Sequence, residues 1–232
     1  MKVARPRVLI RGVVSAPLTF VWLLVLLVTT RIQRSAGRRA SRRIQHSHST
    51  NLRRLGTEPS RVLVTSLFWL DGHKWWPYVP MFVGVLGPAE RRLRWWRWLL
   101  VGVAAHVIAT YVGQSYLRQS IRDGKAPRRL VDARDVGVSY FVFGAAGALS
   151  GYIRRPWRLG CQVAAVTALA GNAVARPTFT EMGHLTAFVV GLAAVPLAPD
   201  RDHMTYPSSA PRGPEDCGSW PPQSDNHAES PH

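Results

Sequence analysis

The chain alternates long apolar runs, low in charge, with short arginine-rich gaps, and this alternation constrains its fold more than any other feature. The runs are Gly12–Thr30, Trp75–Ala89, Trp98–Leu117, Val136–Ile153, Pro156–Ala175 and Met182–Pro199. Five of the six are 18 to 20 residues long, the length that crosses a hydrocarbon core of ~30 Å at ~1.5 Å per helical residue. The second has only 15 residues; it spans if Asp71–Lys74 and Glu90–Arg92 sit among headgroups, with Trp75 and Trp76 at the interface. The pattern predicts an all-α, polytopic membrane protein with six transmembrane helices.

This organisation divides the chain into a basic N-terminal segment (1–11), a membrane domain (12–199) with a long first loop (31–74), and a C-terminal tail (200–232). Met1–Thr30 has the basic start of a signal peptide, but its apolar run is longer than a usual signal core and lacks a small-x-small cleavage site, so it reads as an uncleaved first span. In the first loop, Val62–Leu70 is apolar but too short to cross, as an interfacial or re-entrant helix would be. "GPAERRLRWWRW" reads as a tight basic turn into span three. The tail is rich in Pro, Ser, Asp, Glu and His, cannot build a core, and is expected to be disordered.

A formal charge of +17 raises the question of nucleic acid, but 27 of the 30 basic residues are arginines placed mainly between the apolar runs. No zinc-finger spacing, RNA-binding aromatic motif or basic-helix pattern accompanies them. Contact with anionic lipid headgroups is the simpler account, and no nucleic-acid partner is expected. Cys161 and Cys217 have no CxxC partner, so the cysteines suggest neither a disulfide framework nor a zinc site. His46 and His48 have metal-like spacing without a third ligand nearby and read as a solvated loop. Neither a metal nor a cofactor is expected.

Polar groups within the spans need a reason, because hydrocarbon penalises them. They are His106 and Gln114 in span three, Ser139 in span four, Asn172 in span five, and Glu181 and His184 at the start of span six. Inter-helix hydrogen bonding would explain any one alone. Ser139 and His184 together suggest more: a serine hydroxyl becomes a nucleophile when a neighbouring imidazole takes its proton. Ser139 opens a glycine-rich helix in which Gly147 and Gly151 form a GxxxG pair, a spacing that permits close approach of another helix. Asp135 reads as a cap for that helix or a partner for a loop arginine, and Glu181 as a cap or a neighbour to His184.

The residues and their order resemble the rhomboid intramembrane serine proteases. "RVLVTSLFWLDGHKWWPYVPMFVGVLGPAERRL" is similar to that family's passage from first loop through span two to a Gly-Pro…Glu turn. "GVSYFVFGAAGAL" is similar to its nucleophile segment and "GHLTAFVVGL" to its histidine segment. The likeness covers roughly 61–197. It extends to divergent rhomboid-like proteins of actinobacteria, and the Arg-over-Lys, Ala/Val/Gly-rich composition suits a high-GC genome.

The resemblance implies a six-span fold in a bacterial inner or plasma membrane, with both termini cytoplasmic and the first loop outside. Charge alone leans slightly the other way, with 13 Lys/Arg on that cytoplasmic side and 17 on the outer one. The resemblance also implies Ser139 as nucleophile and His184 as base. The family's usual oxyanion-holding His and Asn of span two fall at Trp75 and Val79, which cannot do that work. The glycines that follow the nucleophile and lie three residues past the histidine are here Tyr140 and Ala187; Tyr140 is expected to crowd the scissile carbonyl.

Three functions stay open. The first is a weak protease cleaving transmembrane substrates through the Ser139–His184 dyad. The second is a catalytically inactive relative that binds transmembrane segments of client proteins. The third is a small transporter with His106, Gln114, Glu181 and His184 as a polar path.

Overall fold

The computed structural model describes residues 14–36, 50–70, 75–133 and 135–197. His46, His48, His73, the basic segment 1–11 and the tail 200–232 lie outside the described residues. The described residues are helical, with one isolated antiparallel bridge between Thr50 and Asp135.

Helix α1 is Pro17–Ser35. Two short helices of the first loop follow, α2 (Leu52–Thr57) and α3 (Pro59–Thr65). Next comes a continuous helical rod made of α4 (Tyr78–Met81), a π-helical segment (Phe82–Leu86) and α5 (Gly87–Leu93). Helix α6 is Trp95–Arg122, and a 3₁₀ turn, Arg128–Asp132, leads on to α7, Gly137–Leu149. Helices α8 (Arg155–Ala175) and α9 (Phe179–Ala193) complete the bundle.

Membrane character shows in which side chains the helices hide. Helix α1 buries a stripe of Thr19, Trp22, Leu26, Thr30 and Gln33 at three- and four-residue spacing, the turn period of a helix. It exposes Val21, Leu24, Val28 and Ile32. Helix α6 likewise buries His106, Thr110 and Gln114 while exposing Val103, Ile108 and Val112. A water-facing helix would do the reverse. The arrangement is that of a membrane protein, whose polar groups turn inward and whose apolar ones meet lipid.

Among the described residues two helices, Pro17–Ser35 and Trp95–Arg122, are long and apolar enough to cross a bilayer; Phe179–Ala193 is apolar but shorter. The remaining predicted spans differ from the simple pattern. The fifth run holds Arg158, Gln162 and Asn172, which dilute its hydropathy. The fourth supplies only 13 residues of α-helix before a short 3₁₀ turn. The second run forms a rod with a π segment that continues past Ala89 through the charged Glu90, Arg91 and Arg92 to Leu93.

The expected turn over "GPAERRLRWWRW" is helix on both sides of a single residue. Arg94, at φ 67° and ψ 148°, alone reverses the chain between α5 and α6. That region is normally reserved for glycine, so Arg94 holds local backbone strain. The first-loop segment 62–70 is helical only to Thr65 and continues as turns.

Two packing features position the functional end. An aromatic cluster of Trp22, Phe82, Trp98 and Phe141 makes edge contacts at centroid distances of 4.8 to 6.2 Å and ties α1, the rod, α6 and α7 together. On the other side, α7 and α9 meet backbone to backbone. A Cβ on Gly191 would strike the Gly144 carbonyl, and one on Gly147 would strike the Phe188 carbonyl. Small residues permit this approach, as the glycine spacing of span four led us to expect.

Candidate active site

Ser139 is the third residue of α7, and the chain fixes that helix start from two sides. Asp135 pairs with Thr50 through both backbone hydrogen bonds, at 3.2 and 3.0 Å, and the Gly137 N–H donates to the Ser66 carbonyl at 3.2 Å. These contacts clamp the entry to α7 against the first loop. From α6, the His106 ring packs so closely on Gly137 that any side chain there would collide with it. Ser139 is half-buried, and its hydroxyl donates to the Val136 carbonyl at 3.3 Å.

His184 lies in the second turn of α9. Thr178 caps that helix, its hydroxyl accepting from the Glu181 N–H at 3.3 Å. The Glu181 carboxylate stays clear of the reciprocal half of a capping box. It accepts a short hydrogen bond from Asn172 of α8 and lies 3.6 Å from Nδ1 of His184. Two rings fix the imidazole: Phe143 at 4.5 Å between centroids and Tyr140 edge-on at 5.6 Å. The Nε2 atom is buried without a hydrogen-bond partner.

Phe143 links the two halves of the site. It stands four residues after Ser139, on the same face of α7, so the ring of His184 packs on the helical face that carries the serine. Ser139 and His184 are not hydrogen-bonded to each other: the hydroxyl is turned to Val136 and Nε2 is free. Phe143 was not anticipated from the sequence, although its i+4 spacing from Ser139 was the signal available.

Several sequence candidates have other positions. Trp75 precedes α4 and packs on the aromatic cluster; Val79 is half-buried in the first turn of α4. Ala187 is buried where α9 meets Gly144.

Tyr140 packs inside the bundle, edge-on to the His184 imidazole. Its ring is fully buried between His106 and Gly183, and its hydroxyl donates to Asp135 at 2.7 Å. Asp135 therefore binds Tyr140 and the adjacent Val136 N–H, rather than capping the helix or pairing with an arginine.

His106 is likewise committed. Its Nε2–H donates to the Leu63 carbonyl at 3.0 Å, which assigns the tautomer and leaves Nδ1 to accept from Thr110 at 3.5 Å. Gln114 is buried beside Asp135, and its side-chain amide helps to hold that carboxylate. His106 thus secures the first loop to α6, which supports a structural role rather than a step in a conduction path.

Asp135 lies just outside α7, and burial pushes its carboxyl up to about 6, against opposing hydrogen bonds from Tyr140, Val136 and Gln114. Its folded-state value thus exceeds its ordinary one of 3.8, and the folded chain holds this proton more tightly than the unfolded chain. The resulting stabilisation is full below about pH 4 and is lost as pH rises through about 6. Thermal unfolding in detergent is expected to show the native chain losing stability across that window. Asp135→Asn is expected to remove this dependence; an unchanged slope in the variant would contradict the assignment.

Among known proteins, the model of a family described as rhomboid-like protein matches residues 11–204. No curated protein and no solved structure matches the chain.

Proposed function

The chain belongs to the rhomboid-like protein family, and from that premise we propose that it is a six-span membrane protein and a weak intramembrane serine protease, with Ser139 as nucleophile and His184 as base. The observation that carries this reading is the free, buried Nε2 of an imidazole packed on the Ser139–Phe143 face of α7. Glu181 at Nδ1 favours the tautomer in which Nδ1 bears the proton and Nε2 can accept one.

In the reaction, the Ser139 hydroxyl turns from the Val136 carbonyl and gives its proton to Nε2. Oγ bonds to the scissile carbonyl carbon and the C=O π pair moves to oxygen. The N–H groups that open α7, beyond that of Gly137, have no intrahelical acceptor and lie at the positive end of the helix dipole, so they suit a developing oxyanion. Collapse breaks the C–N bond and the leaving amine takes the proton from Nε2. A water then hydrolyses the acyl-enzyme, with His184 as base, and restores Ser139.

Substrates on this reading are transmembrane segments of other proteins in the cell membrane. The enzyme is expected to be slow, because Trp75 and Val79 supply no side-chain oxyanion donor. Proteoliposomes with a single-span reporter substrate test the reading: slow cleavage is expected, abolished by both Ser139→Ala and His184→Ala. Cleavage that survives Ser139→Ala would refute the assignment.

A second reading, a non-catalytic binder of client transmembrane segments, draws support from the absent Ser139–His184 hydrogen bond together with Trp75 and Val79. Reporter co-purification without cleavage is the outcome that reading expects.

A further inference from the structure

We propose that the end of the bundle opposite Ser139 holds a binding site for one anionic phospholipid, in the cleft between the α4–α5 rod and α8. Contacts identify this end. Tyr152, just beyond α7, donates to the Arg92 carbonyl at 2.9 Å, and Glu90 of α5 binds the first turn of α1. The starts of α1, α6 and α8 therefore gather at the end where α5 and α7 finish.

Its charge is one-sided. Arg91, Arg92 and Arg94 come from one connection and Arg154, Arg155 and Arg158 from the other. Among the described residues Glu90 is the only carboxylate there, and it is buried and engaged with α1. Asp123, Asp132, Asp135 and Glu181 lie towards the opposite end, at the finish of α6 or the starts of α7 and α9. Neither Arg92 nor Arg154 is in an ion pair among the described residues.

Between those two arginines opens a cleft of about 540 Å³, within the usual size of a small-molecule site. Arg92 and Arg154 line it together with Val85, Leu149, Ala165 and Phe188. Helix α8 packs chiefly on α9 and the 3₁₀ turn after α7, with α8 residues mostly exposed, so the cleft opens towards lipid. Arg92 lies over the Tyr152 ring at 5.7 Å to its centroid. Two guanidiniums with no carboxylate partner among the described residues match a phosphate, since each can offer paired N–H donors to its oxygens. An apolar trough beneath them matches an acyl chain. Headgroup charge and chain together point to a diacyl phosphate lipid rather than free phosphate.

Native mass spectrometry of the full chain in detergent, titrated with phosphatidylglycerol or phosphatidylcholine, tests the site. One phosphatidylglycerol is expected to be retained at least about ten-fold more tightly than phosphatidylcholine, and excess inorganic phosphate is expected not to displace it. Arg92→Gln with Arg154→Gln should lose that preference, whereas Arg128→Gln with Arg129→Gln, in the distant 3₁₀ turn, should keep it. Ala165→Phe, which fills the trough and leaves the arginines in place, should also lose the retained lipid.

Equal retention of both lipids, or no effect of the Arg92/Arg154 variant, would overturn the proposal. Loss in the arginine variant but not in Ala165→Phe would mean surface attraction without a pocket, and would also overturn it. So would a co-purifying transmembrane peptide in place of the lipid. Thermal melts confirm that each variant compared is folded.

Discussion

Replacing Glu90 with alanine is expected to destabilise the protein by about 3–5 kcal/mol, the scale of leaving several buried donors unsatisfied around a lost charge. Helix α1 begins with no cap of its own: Ala16 offers no side-chain acceptor and Pro17 brings no N–H. The carboxylate of Glu90 does this work from 71 residues away, accepting from the Thr19 N–H at 2.8 Å and the Thr19 hydroxyl at 2.7 Å. Its other oxygen accepts from the Leu18 N–H at 3.0 Å.

The carboxylate is 5% exposed and stands at the positive end of the α1 dipole. Glu90→Gln keeps an acceptor without the charge and should lose about half as much. The exposed Glu58, paired with Arg61 three residues on, is the contrast. Glu58→Ala should change stability by less than about 1 kcal/mol. Unfolding by denaturant in a fixed detergent measures all three, and equal effects at Glu90 and Glu58 would contradict this account of how α1 is held.

The second large effect concerns rate. If missing oxyanion donors make the enzyme slow, then Trp75→His with Val79→Asn should raise cleavage of the reporter on the order of 10²-fold, the scale of one such donor. Tyr140 should be left alone. Its ring fills the space between His106, His184 and Gly183, and its hydroxyl satisfies the buried Asp135. Removing it would open a cavity and orphan a carboxylate, with no gain at the serine. The gain in the double variant must vanish when Ser139→Ala is added. A folded double variant no faster than the native chain would refute the oxyanion explanation.

Much of the fold was legible because hydrophobic length is a one-dimensional property. Helices α1, α6, α7, α8 and α9 lie in or across the runs from which they were expected, in the expected order. Close packing of α7 on α9 was legible too, since glycines at four-residue spacing mark a face that admits another backbone.

What could not be read was anything set by a distant partner. Glu90 looked like a headgroup charge, because its reason for being buried is the uncapped start of α1. Tyr140 looked like an obstacle at the catalytic face, and only its three-dimensional neighbours reveal that its ring packs among His106, His184 and Gly183 while its hydroxyl binds Asp135. His106 was open to either inter-helix bonding or a polar path until the first loop was seen to place the Leu63 carbonyl against its Nε2. At the candidate site the residue types were legible, but their orientation was not. Nothing in "GVSY" indicates that the Ser139 hydroxyl would turn to Val136, nor that Phe143 would carry the imidazole.

Covalent labelling of the native chain by a fluorophosphonate in liposomes, followed by peptide mapping, tests the dyad most directly. Attack by Oγ expels fluoride from phosphorus, so one phosphonyl group is expected on Ser139. Labelling should be lost in Ser139→Ala and reduced on the order of 10³-fold in His184→Ala, the scale of a general base. Mapping the group to any other residue, or labelling of Ser139 that proceeds equally well without His184, would contradict the proposed mechanism.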